Sequence, residues 1–141
     1  MREWDNQCLM EPSETRTFEE LACWQAGREL RRFVRNQIVP QLPAEEKFRL
    51  VDQLIRSSRS ITANIAEGHG RFHYNDNTRF CRQARGSAFE VLDHILTAGD
   101  EDFIRAESLA EGRERCLKVV RILNGYVAYL QRMAKSARDD D

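Results

Sequence analysis

Arginines at regular spacing are the residues with the clearest chemical potential. Arg28, Arg31, Arg32 and Arg35 recur at steps of three and four. On a helix that spacing makes one continuous basic stripe, able to neutralise several phosphates in a salt-sensitive way. The other reading of the same stripe is a solvated face ion-paired to neighbouring acids. A second group, Arg71, Arg79, Arg82 and Arg85, surrounds the stretch SSRSITANIAEGHGRFHYNDNTRFCRQARGSAFE from Ser57 to Glu90. In the functional reading it forms a phosphate-binding rim that becomes multivalent when repeated around an assembly; Arg71 and Arg82 are the candidates. In the structural reading Glu67 or Glu90 pairs with Arg71, Arg79 or Arg85 across helices or subunits, because a guanidinium fork matches a carboxylate. Asn64, Glu67, Gly68, Gly70, Arg79, Arg85, Gly86, Ser87 and Glu90 are then turn and assembly residues.

Nothing else builds a reaction centre. Ser87 has no histidine predictably beside it and reads as a packed helix residue. His69 and His73 are four apart, but Gly68 and Gly70 disfavour the helix that would let them share a metal. No cofactor or metal is expected, and the chain is not expected to be an enzyme. Phe72 and Tyr74 stand beside Arg71 and His73, placed either to stack on unpaired bases or to pack over the end of a helical domain. Trp24, Phe48, Phe80 and Phe89 sit at core spacing. Cys8, Cys23, Cys81 and Cys116 make no CxxC pair, which points to reduced thiols in the cytoplasm.

These side chains need helices to hold them. In 141 residues, 41% are hydrophobic and 32% charged, with three prolines and seven glycines, the profile of a helical domain. Residues 1–17 are polar, broken by Pro12, and expected to form a flexible arm. A first helix, capped by Thr17, carries Leu21, Trp24, Leu30, Val34 and Ile38 and stops before Pro40. A second runs from about Ala44 to Glu67, closed by Gly68 as a left-handed residue. A third runs from about Asp76 to Ala98, with Asn75 or Asp76 offering the cap. After the acidic break at Gly99–Asp102 a fourth covers about Phe103 to Ala137, its start open between Asp102 and a capping-box candidate at Ser108 with Glu111. Gly86 inside the third helix costs about 1 kcal/mol relative to alanine, so a close helix approach is expected there. Short connections favour an all-α, antiparallel up-down-up-down four-helix bundle over residues 18–137, with an acidic tail at 138–141. The apolar faces of helices three and four are wider than one partner needs, which gives a motive for homo-oligomerisation. No apolar run is long enough for a membrane span. The net charge of −1 places any nucleic-acid contact on a local patch.

The motifs SITANIAEGHGR and RFCRQARGSAFEV, with FEELACWQAGREL at Phe18–Leu30, resemble the bacterial four-helix bundle family encoded by intervening sequences in 23S ribosomal RNA genes. The resemblance covers about Phe18 to Leu130. It implies a ring-shaped homopentamer, and it extends to accessory proteins of diversity-generating retroelements, basic pentamers that bind a reverse transcriptase and nucleic acid. The expectation is a non-enzymatic, RNA-associated oligomeric scaffold. The near-neutral charge of this chain keeps open a second reading, a protein-interaction module for a reverse-transcriptase-like partner with no direct contact to nucleic acid.

Overall fold

The computed structural model describes residues 17–140. The expected arm falls almost wholly outside the described residues, as does Asp141. Four long helices account for most of the described chain: α1 (Ala22–Phe33), α2 (Leu50–His69), α3 (Tyr74–Asp100) and α4 (Ala106–Asp139). No strand occurs among the described residues.

The Thr17 hydroxyl accepts from the Glu19 amide at 3.2 Å and caps a single 3₁₀ turn, Phe18–Glu20, that leads into α1. Beyond Phe33 the chain stays helical but loosens into a π turn, Val34–Ile38, then tightens into a 3₁₀ turn, Val39–Gln41. Pro40 stands at the start of that last turn, where its missing N–H costs little. Gln41 latches this end to the start of α4. Its amide donates to Ser108 Oγ at 2.9 Å, and its carbonyl oxygen accepts from the Arg105 amide at 2.8 Å.

Each helix packs antiparallel on the next, and α4 closes back on α1. Gly68 of α2 meets Asn77 and Phe80 near the start of α3, while Ser60, two turns earlier, meets Ser87 two turns later at 2.9 Å. Gly99 meets Leu109 across the α3–α4 turn, and further along Arg85 donates to Asn124 Oδ1 at 2.8 Å. Along α1 and α4, Glu29 faces Lys118 and Phe33 faces Gly112. The up-down-up-down order is therefore written in paired contacts. Leu30, Ile38, Leu54, Ile61, Ile65, Val91, Ile95, Val119 and Leu123 are fully buried along its axis, the kind of apolar burial that drives folding. No described helix is long and apolar enough to cross a membrane.

Several local expectations are corrected. Gly68 does not close α2 in a left-handed conformation: the helix runs on to His69, Gly70 is its cap at φ −76°, and no glycine has positive φ. Gly68 is instead a contact point, since a Cβ there would lie 2.7 Å from Asn77 Oδ1 and 2.9 Å from Phe80 Cβ. Asn75 and Asp76 lie inside the first turn of α3, whose cap is His73 with no side-chain hydrogen bond. Ser108 is likewise inside α4 and buried, not a cap. Residues 44–49 form a 3₁₀ turn and a bend rather than the start of α2. That puts Phe48 out of helical phase, so it is 84% exposed and not in the core. Phe89 is 49% exposed and Trp24 only half-buried. At Gly86 no heavy atom of the described residues lies within 4 Å of the Cβ position, so the close approach expected there does not occur among the described residues.

Candidate nucleic-acid interface

The groove between α1 and α2 is built from two helices that cross closely. A Cβ on Gly27 would lie 3.0 Å from Ile61 Cγ2, and that proximity carries the next turns of α1 alongside α2. Arg31 is half-buried in the crossing and donates to Thr62 Oγ1 at 2.7 Å, while the Thr62 hydroxyl donates back to the Arg59 carbonyl at 3.2 Å. A hydroxyl partner orients a guanidinium without neutralising it. Burial, then the nearby charges of Arg28, Arg32 and Arg59, push the Arg31 guanidinium below its ordinary value. Both causes disfavour its charge, a sign that positive groups converge here without acids between them.

One turn further on, the π turn carries Arg35 to the mouth of the same groove. Arg31, Arg32 and Arg35 from the first helical path and Arg59 from α2 line a space of about 350 Å³ with Val34 and Ile55 beneath, and no carboxylate lines it. None of these four arginines has a carboxylate partner among the described residues. Other arginines of the chain do pair: Arg56 with Asp52, Arg71 with Glu67, Arg115 with Glu111, Arg121 with Glu114. Arg28 sits at the edge of the cluster. Its guanidinium lies over the Trp24 ring at 5.7 Å.

The turn at the other end of α2 is different in kind. Arg71 pairs with Glu67 at 3.1 Å and also covers the Phe80 ring at 4.8 Å. Arg79 approaches the same ring at 4.9 Å and lies 4.0 Å from Asp76. Glu90 faces His94 at 3.5 Å rather than an arginine, and Arg85 reaches Asn124 rather than a carboxylate. Asn64 bonds back to the Ser60 carbonyl at 2.9 Å, and Ser60 in turn holds Ser87. Arg82 is exposed, as are Arg79, Gly86 and Glu90. Phe72, 94% exposed, stacks edge-on against His73 at the tip. Beneath this turn the Asn77 amide donates to Tyr126 Oη at 3.2 Å, and the Cys81 thiol donates to Asn77 Oδ1 at 3.4 Å. The structure thus separates two arginine groups that sequence spacing made equivalent. The first is a cluster without acids; most of the second is tied into the hairpin.

No group of histidine, cysteine and acidic residues suited to a metal occurs among the described residues. Arg59 was not singled out by sequence reasoning. Its signal was the three-residue step from Arg56, which becomes meaningful only once the register of α2 against α1 is known.

A model of the 23S rRNA-intervening sequence protein family matches residues 19–125, from the 3₁₀ turn before α1 to the middle of α4. The chain belongs to that family. No curated protein matches it. As a 23S rRNA-intervening sequence protein it carries both arginine groups and the Gly68–Asn77 hairpin contact inside the matched span.

Proposed function

We propose that this 23S rRNA-intervening sequence protein is a non-enzymatic, cytoplasmic homo-oligomeric scaffold, a pentamer, that associates with RNA through the basic surface of α1 and its neighbour α2. The observation that carries the reading is the cluster of Arg28, Arg31, Arg32, Arg35 and Arg59 with no carboxylate partner among the described residues. Uncompensated guanidinium groups attract phosphate oxygens at a distance and bind them with forked hydrogen bonds. In a chain of net charge −1 such a patch is a local device, and repetition around an assembly multiplies a weak contact.

Self-association is supported by the outer face of α3. Gly86 is exposed with open space at its Cβ position, and Phe89, three residues on, is 49% exposed. A glycine inside a helix costs about 1 kcal/mol, and no neighbour among the described residues explains it. A second copy resting on this face does. The second reading, a module for a protein partner such as a reverse-transcriptase-like enzyme, is favoured by Phe72, whose ring stands almost wholly in solvent.

Light-scattering mass at two salt concentrations, with and without a structured RNA, tests both halves. The expected result is a five-chain mass that shifts with RNA at low salt and less at high salt. Arg28→Glu with Arg32→Glu is expected to keep the mass and lose the shift. An unchanged shift in that variant would remove the α1 surface from the reading, and no shift with the unmodified protein would turn it toward the protein partner.

A further inference from the structure

We propose that the α1–α2 groove is a pocket for a single nucleotide, holding its phosphate among Arg31, Arg32, Arg35 and Arg59 and its base against Ile55 and a guanidinium face. The inference rests on the RNA-associated reading above and makes it specific: a mononucleotide unit enters, rather than a duplex backbone lying across the surface.

Three observations carry it. The first is size: about 350 Å³ lies within the range of small-molecule sites, and it is more room than a lone inorganic anion needs. Second, the lining is divided by chemistry. The guanidinium groups come from two helices on opposite walls, while Val34 is fully buried beneath them and Ile55 half-buried beside it. Asn36 and Ser58 complete the lining, and a pocket that sets convergent charged groups beside an accessible apolar side chain suits a ligand with one anionic and one flat apolar part. Third, the arrangement is already built. The 2.7 Å bond from Arg31 to Thr62 fixes one guanidinium in place with its charge uncompensated, and the π turn at Val34–Ile38 resets the helical phase between Arg32 and Arg35. Such π turns recur at functional sites. Four mutually repelling cations around one space are relieved by a phosphate between them, and a guanidinium face also stacks on a base.

The nucleotide has two sources with the same chemistry, a free nucleoside monophosphate or an unpaired nucleotide of a strand, and the experiment separates them. Binding to the full chain is measured by calorimetry with adenosine 5′-monophosphate, adenosine, inorganic phosphate, single-stranded oligoadenylate and an RNA duplex. The monophosphate is expected to bind saturably, adenosine not at all, and inorganic phosphate about tenfold more weakly for lack of the base contact. Arg59→Glu is expected to weaken the monophosphate by about tenfold or more. Arg56→Glu, one turn away on the same helix and outside the groove, makes the same charge change and is expected to leave it unaltered. Both side chains are exposed, and Arg35→Glu on the opposite wall gives a second variant with the same expected loss. If single-stranded but not duplex RNA competes with the monophosphate, the source is a strand. If neither competes, RNA does not enter the groove and the proposal is overturned as a site for a strand, whether or not RNA binds elsewhere on the protein. If RNA binds while the monophosphate does not, or if Arg56→Glu weakens it as much as Arg59→Glu, the pocket is overturned and the general RNA reading survives.

Discussion

One methyl group added at Gly68 would strike Asn77 and Phe80, whereas one added at Gly86 would meet nothing among the described residues. The same substitution therefore has opposite expected signs. Gly68→Ala should destabilise the chain by about 1–3 kcal/mol through overpacking at a backbone-close contact. Gly86→Ala should stabilise the single chain by about 0.5–1 kcal/mol through helix propensity. Urea denaturation measures both, and mass measurement on the Gly86 variant shows whether a second copy needs the bare backbone. The thiols supply a pH test. Burial pushes Cys81 and Cys116 from 9.0 up to about 12. With the native value raised, the unfolded state loses these protons first, so the neutral-thiol contribution is complete below about pH 9 and disappears as pH rises toward 12. Stability in urea is expected to fall across that window, less steeply in Cys116→Ala, and both thiols should resist an exposed-thiol reagent until the protein unfolds. At this scale the sequence was least legible. Gly68 was visible as a glycine with a purpose, but a helix stop and a contact point look alike until the partner, here α3, is in place.

At the scale of elements, the hydrophobic periodicity located four helices, and it did so because 3.6-residue spacing is a local property. It failed where the chain was helical in name but not in phase. Phe48 continues the three- and four-residue steps of α2 backward, yet residues 44–49 bend, so the spacing no longer corresponds to a face. The start of α4 was ambiguous for a related reason. Its apparent capping serine, Ser108, is used by a distant residue, Gln41, and the local cap is Arg105 with no side-chain bond. Gln41→Ala should consequently cost about 1–2 kcal/mol, because it removes hydrogen bonds to both Ser108 and the Arg105 amide. Thermal unfolding measures the loss, and a variant as stable as the parent would show the latch to be incidental. The arginine stripe of α1 was legible as a stripe. Its completion by Arg59 was not, since the pairing of α1 with α2 is set by Gly27 and Ile61 meeting in the core rather than by any charged residue.

For the whole molecule, two of the four helix packings, α2 on α3 and α3 on α4, join neighbours through short turns; α1 reaches α2 through the longer connection 34–49, and α4 closes on α1. That closure, between Glu29 and Lys118 and between Phe33 and Gly112, brings together residues far apart in sequence. The acid-free groove lies on α1, held against the α2–α3 hairpin on one side and latched to α4 through Gln41 on the other. The closing order has a kinetic consequence. Neighbouring antiparallel helices meet after only a short loop is ordered, so the α2–α3 hairpin around Gly68, Asn77 and Phe80 should form in the folding transition state, and the α1–α4 contact afterwards. Substitutions then separate by rate: Gly68→Ala should slow folding with little change in unfolding, while Gln41→Ala should leave folding unchanged and speed unfolding. Stopped-flow measurements on the two variants read this directly. It follows that α1, the wall carrying most of the arginines, is the last piece to dock and the first to leave, so an anion bridging Arg31 and Arg59 would act as a kinetic clasp, slowing the opening of the molecule in proportion to its occupancy.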